Sequence, residues 1–138
     1  MLEKKTSSLK ELFSFSASRE ATYEKIIDLG RKLNPLKPEF KIASNRVSGC
    51  QSIVYLRAYK ENNLVFLEGD ANALISAGLV YILLSIYSGE TAETILTYPP
   101  TFLEEMGIYS SLSLTRSHGL NQMCLKLKQL TIPFLINL

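Results

Sequence analysis

Cysteine and histidine are scarce in this chain: its 138 residues hold two cysteines, Cys50 and Cys124, and one histidine, His118. The cysteines lie far apart and no Cys-x-x-Cys or His-x-x-x-His spacing exists, so no tetrahedral metal site is expected. No glycine-rich phosphate cradle is present either, which leaves no cofactor to predict. Charge of one sign is also lacking. With 15 basic against 13 acidic residues and a net charge of +2, there is no basic stripe to neutralise phosphates, and nucleic acid is not an expected partner. Lys4, Lys5 and Lys10 read as one solvated helix face. The longest apolar run, Ala77 to Leu84, falls short of the roughly 20 apolar residues that cross a bilayer, and it reads as a buried core helix. The start, Met1 to Ser8, is polar and lacks the apolar segment and cleavage site of a secretory signal. A lone disulfide is not favoured in a chain with a good core and no export signal. Both cysteines are therefore expected as thiols in a reducing compartment, the cytoplasm, away from membranes.

Apolar residues make up 46% of the sequence and charged residues 20%, which suits one globular domain over residues 1–138 with a core that needs no staple. Two helical patterns open the chain. The second, Arg19 to Leu33, places Tyr23, Ile26, Ile27, Gly30 and Leu33 on one face behind Ser18 as N-cap, and Asn34-Pro35 stops it. Lys37 to Ser44 reads as a loop, followed by a short extended piece at Asn45 to Val47. Gln51 to Tyr59 alternates as a strand, Leu64 to Glu68 is a second, and Lys60 to Asn63 joins them as a hairpin turn, because asparagine tolerates positive φ. Ala71 to Tyr87 is apolar nearly all round, with Asp70 as expected N-cap and Ser88-Gly89 as stop. Short helices follow, from Thr91 or Glu90 to about Thr97 and from Thr101 to Met106. The last is expected over Leu114 to Leu130 behind Ser113, with Pro133 ending the pattern. Consecutive strands flanked by helices imply an α+β domain with a small antiparallel sheet of about three strands.

Cys50 is the residue most suggestive of chemistry. Asn45 and Ser48-Gly49 break the chain just before it and a strand begins just after, so the thiol sits on a turn held by a rigid sheet. Turn amides near the sulfur would favour a thiolate. A free cysteine is also often a buried filler, and that is the reading for Cys124, in helical register with Leu120, Leu127 and Leu130. Arg116 would stand in the first turn of the last helix, where the macrodipole disfavours a cation by roughly 0.3–1 kcal/mol. Either Glu104 or Glu105, or an anion on a partner or substrate, is expected to hold it there. His118 could serve Cys50 as a base, although nothing local brings the two together.

The stretch Asn45-Arg-Val-Ser-Gly-Cys-Gln-Ser52 resembles the signature of SufE-type sulfur acceptors. The resemblance extends from Tyr23-Glu-Lys-Ile-Ile-Asp-Leu-Gly30 through Glu68-Gly-Asp70, Gly78-Leu79, Ser88-Gly89, Thr91 to Ile95 and Phe102 to Met106, and ends with Leu112 to Leu120. It implies a SufE/IscU-like fold and a protein that takes sulfur from a SufS-like cysteine desulfurase onto Cys50, as a persulfide, and stimulates that enzyme without being one. A downstream iron–sulfur scaffold or other sulfur acceptor is implied as recipient, and a homodimer is compatible. Gly49, Gln51, Glu104 and Arg116 fall on positions that the family shares. Leu114 stands where relatives often have proline, and His118 where they have a polar amide. The rivals are a stand-alone peroxidase or transferase using Cys50 with His118, which needs about 3–4 Å between histidine and sulfur, and a cluster scaffold, which lacks a third cysteine.

Overall fold

A computed structural model describes residues 2–14 and 18–136; Met1, at the head of the polar start, lies outside them. Helix α1, Leu2–Phe13, buries Leu2, Thr6, Leu9 and Phe13, one stripe at helical spacing. Its Lys5 is only partly solvated. The ammonium donates to the carbonyls of Ile86 and Ser88, both at 3.2 Å, and to the Glu90 carboxylate at 2.6 Å, a cation placed at another helix's negative end. Lys10 pairs with Glu105 at 2.9 Å. Helix α2, Arg19–Gly30, starts where expected: the Ser18 side chain accepts from the Ala21 N–H at 3.1 Å. It ends three residues before Leu33, and the segment read as a loop winds into two 3-10 turns, Pro38–Phe40 and Ala43–Asn45.

Strands β1, Val54–Glu61, and β2, Leu64–Ala71, pair antiparallel from Val54↔Ala71 to Glu61↔Leu64. Asn62 and Asn63 take φ of 53° and 72°, the pair of positive values that a tight hairpin needs. Among the described residues the sheet has two strands rather than about three. The piece at Asn45 to Val47 contributes one bridge, Arg46↔Tyr55, and a Val47 N–H to Val54 carbonyl bond of 2.9 Å, because a 3-10 turn ends just before it and Gly49 turns the chain just after.

Asp70 does not cap the central helix. Its backbone still pairs with Tyr55, and its carboxylate accepts from the Leu36 N–H and meets Lys41, both at 3.1 Å. Helix α3 therefore begins later, Leu74–Tyr87 behind Ala73. It packs against α1, α2, β2 and α7. Ile82, Leu83 and Ile86 on it are fully buried with Val54, Leu56 and Val65 of the sheet, each such side chain stabilising by about 1.5–3 kcal/mol. Helix α4, Ala92–Thr97, is capped by Thr91; α5, Phe102–Glu105, is followed by α6, Ile108–Ser111, behind Gly107. Helix α7 runs Leu114–Ile136 and does not stop at Pro133. Proline removes the N–H that would pair with the carbonyl of Gln129, an exposed residue, and at an exposed position solvent can take that bond's place.

Candidate functional site around Cys50

The Cys50 loop is pinned at both ends by hydrogen bonds, and its middle rests against α7. Upstream, the Asn45 amide donates to the Phe40 carbonyl at 2.8 Å, and Lys126 of α7 donates to the Ser44 carbonyl at 2.7 Å. Downstream, Ile53 and Asn72 clasp each other: the Ile53 N–H donates to Asn72 Oδ1 at 2.9 Å, and the Asn72 N–H to the Ile53 carbonyl at 3.1 Å. The Ser52 and Ser76 hydroxyls stand 2.6 Å apart. Gly49, at φ +80°, makes the turn in the left-handed region that side chains resist. A Cβ there would also come within 3.0 Å of His118 Nε2 and Gln122 Cγ.

Cys50 is half-buried, and its thiol donates to the Gly119 carbonyl of α7 at 3.6 Å. Burial pushes its pKa up. The expected stabilisation by turn amides is overturned here, because a carbonyl oxygen faces the sulfur and a carbonyl favours the protonated form. The thiol opens on a cavity of about 390 Å³ whose lining includes Gln51, Ser52, Asn72, Ser76, Arg116 and Met123, with no carboxylate among the described residues. A larger cavity of about 640 Å³, between the 32–40 segment and the hairpin, is lined by neither cysteine nor histidine.

His118 lies beside Gly49, and among the described residues no hydrogen bond joins it to the Cys50 sulfur. The thiol-enzyme reading thus lacks its dyad. Arg116 takes the expected place, its N–H donating to the capping Ser113 hydroxyl at 3.3 Å. Its guanidinium, however, pairs with no carboxylate among the described residues: its carbon lies 5.7 Å from the Tyr23 ring centroid, while Glu105 pairs with Lys10. Glu104 is exposed and lines a different cavity, with Thr101, Tyr109 and Asn121. Of the residues singled out in the sequence, Gln51 and Arg116 share the Cys50 cavity, Gly49 shapes its loop, and Glu104 stands apart. Asn72 and Ser76, which line the thiol's cavity, and Tyr23, whose ring lies beside Arg116, went unnoticed because each takes its place only through the tertiary fold. Among the described residues no group of three His, Cys, Asp or Glu side chains is placed to hold a metal, and no helix is long and apolar enough to cross a membrane.

Residues 7–131 match the family described as "SufE: Fe-S metabolism associated domain". The chain belongs to the SufE family. Similar proteins include an uncharacterized SufE-like protein of Synechocystis, 37% identical over 109 residues (79% of this chain, 69% of the relative), and the sulfur acceptor protein CsdE of Escherichia coli, 33% identical over 115 residues (82% and 78%). The cysteine desulfuration protein SufE of Plasmodium falciparum is 33% identical over 110 residues, and the match spans 76% of this chain but 44% of that one. A solution structure of a hypothetical Thermus thermophilus protein superposes with a TM-score of 0.79 at 24% identity, covering 96% of this SufE-family chain and 97% of the other. That likeness bears out the α+β fold.

Cys124 behaves as the filler expected. It packs against the core on α7, and burial pushes its pKa up to about 11 despite Lys128 nearby. A raised folded-state value means that this stability is complete below the unfolded thiol's pKa, ~8.5, and is lost as pH climbs through about 11. Urea titrations at pH 8 and 11 should show the wild type losing on the order of 2 kcal/mol more than Cys124→Ala across that interval; equal losses would refute the assignment.

Proposed function

We propose that this protein accepts sulfane sulfur from a cysteine desulfurase onto Cys50, stimulates that enzyme, and hands the sulfur on for iron–sulfur cluster assembly. The observation that carries the reading is the half-buried Cys50 thiol, mounted on a loop between two anchors and opening on its own cavity, in a chain whose relatives are named as sulfur acceptor and cysteine desulfuration proteins. The Cys50 thiolate attacks the outer sulfur of the partner's cysteine persulfide. The new S–S bond forms on Cys50, the old one breaks, and the partner's thiolate leaves, so no oxidant or reductant is consumed.

The resting thiol is a poor nucleophile, being buried and bonded to a carbonyl. Docking draws the loop out of the cavity; its return shields the persulfide from oxidants. Gly49 and Gln51 flank the sulfur as hinge and neighbour, Arg116 supplies positive charge beside it, and Glu104 stands on the partner-facing periphery. The whole chain, 1–138, acts as one acceptor domain in the cytoplasm, a carrier rather than an enzyme. A downstream scaffold or other acceptor takes the sulfur, and a homodimer is compatible with the reading. The test incubates the protein with a cysteine desulfurase and cysteine and weighs it intact: one added sulfur, mapped to the Cys50 peptide, is expected, and no adduct would refute the function.

A further inference from the structure

Two cations share one aromatic ring at the edge of the Cys50 cavity, which Arg116 lines, and among the described residues neither forms an ion pair. Arg19 opens α2 and Arg116 stands in the first turn of α7. Each guanidinium carbon lies 5.7 Å from the Tyr23 ring centroid, and Arg19 Nε is fixed by donating to the Ser111 carbonyl at 2.9 Å. Both arginines are exposed, both sit at helix ends that repel cations, and among the described residues every ion pair formed is made by other groups. Asp28 of α2 is taken by Arg31. Burial acts to raise the Tyr23 phenol's pKa, but hydrogen bonding and charge from Arg19 and Arg116 outweigh it and bring the pKa below its ordinary value. Glu20 and Glu24 lie on the same helix, but among the described residues neither forms an ion pair with Arg19 or Arg116, so both guanidinium groups are left for an outside anion.

Around the same cavity stand three exposed apolar side chains: Ile53 just past the loop, Leu74 next to cavity-lining Ala73, and Leu114, 91% exposed, next to cavity-lining Thr115. An apolar rim beside unpaired guanidinium groups is what a partner covers with apolar surface and a carboxylate, since exclusion of water strengthens the charged contact.

We propose that Arg19 and Arg116, lined up by Tyr23, form a clamp for a surface carboxylate of the docking desulfurase, sealed by the rim of Ile53, Leu74 and Leu114. The planar guanidinium fork suits a carboxylate held in two-point fashion. This partner assignment rests on the sulfur-acceptor reading above and adds the chemistry by which the partner is recognised.

The experiment measures binding of full-length wild type, Arg19→Glu and Arg19→Lys to a cysteine desulfurase at low and high salt, together with the concentration giving half-maximal stimulation and the melting temperature of each variant. Arg19→Glu is expected to weaken binding about tenfold at low salt and to flatten the salt dependence, raising the half-maximal concentration far more than it lowers the plateau, while Arg19→Lys recovers part of the affinity. Equal affinities and equal salt slopes for wild type and Arg19→Glu would overturn the clamp while leaving the acceptor reading intact. Wild-type self-association that Arg19→Glu abolishes, with desulfurase binding unchanged, would place the clamp between copies of this chain and overturn the desulfurase assignment. A wild type that neither binds nor gains sulfur would overturn the acceptor reading itself, and the clamp with it.

Discussion

Cys50→Ser should gain no sulfur from a desulfurase supplied with cysteine, and sulfide release in its presence should stay at the rate of the desulfurase alone. The hydroxyl is nearly isosteric with the thiol, so the loop anchors at Asn45, Asn72 and Ser76 remain. What disappears is the nucleophile, because an unactivated serine hydroxyl does not ionise near neutral pH and among the described residues no hydrogen bond joins His118 to this position to act as base. Cys124→Ser should keep both adduct and stimulation, since that sulfur is packed against the core with a pKa of about 11. A sulfur adduct on Cys50→Ser would end the proposal. The raised Cys50 pKa adds a directional test. Alkylation of the free protein should be slow at pH 7 and rise through and beyond the ordinary thiol range, because only the thiolate reacts. Bound to the desulfurase, with the loop drawn out of its cavity, the profile should move to lower pH.

Features whose cause lies within a few residues were legible in the sequence. Asn62 and Asn63 turn the hairpin because their own side chains tolerate the φ values found there, and Ser18 and Thr91 cap helices through hydrogen bonds three residues long. The apolar circumference of α3 announced its burial. Where distant segments compete for the backbone, the local pattern misled. Asp70 has the chemistry of an N-cap, but Gly69 to Ala71 are claimed by β1 and its carboxylate by Leu36 and Lys41. Pro133 is a helix breaker by type, yet the carbonyl it strands belongs to an exposed residue, so α7 continues.

The site divides the same way. That Cys50 sits on a turn follows from Ser48-Gly49, and that Cys124 is packed follows from its helical register. The electrostatic state of Cys50 did not follow, because it is set by burial against α7, where the thiol also meets a backbone carbonyl 69 positions away. The companion of Arg116 was equally hidden: the macrodipole argument required something to hold the cation, and that something is the Tyr23 ring on α2 rather than a neighbouring glutamate. Sequence read Tyr23 as one of a helix's core-facing residues, and its second role emerges only when α2 and α7 are brought together.

How α2 is held in that position leads to the other large effect, expected for Gly78→Ala. Helices α2 and α3 cross at Gly30 and Gly78 with almost no separation. A Cβ on Gly78 would stand 2.0 Å from the Ile26 carbonyl oxygen and 2.6 Å from its carbon, and one on Gly30 would stand 2.6 Å from the Gly78 nitrogen. Ile26 Cγ2 is also in the way, but the nearest atom is backbone, so side-chain rotation cannot relieve the clash and the helices must move apart. Alanine's better helix propensity returns at most about 1 kcal/mol, against about 3 kcal/mol or more for overpacking between two rigid elements. The net loss of at least ~2 kcal/mol should lower the melting temperature by roughly 5–10 °C for a domain of this size. Because α2 carries Arg19 and Tyr23, whatever Gly78→Ala remains folded should also bind the desulfurase more weakly, although the substituted position lies in the core and touches no part of the cavity. A melting temperature within a degree of wild type would mean that the two helices do not cross as closely as described.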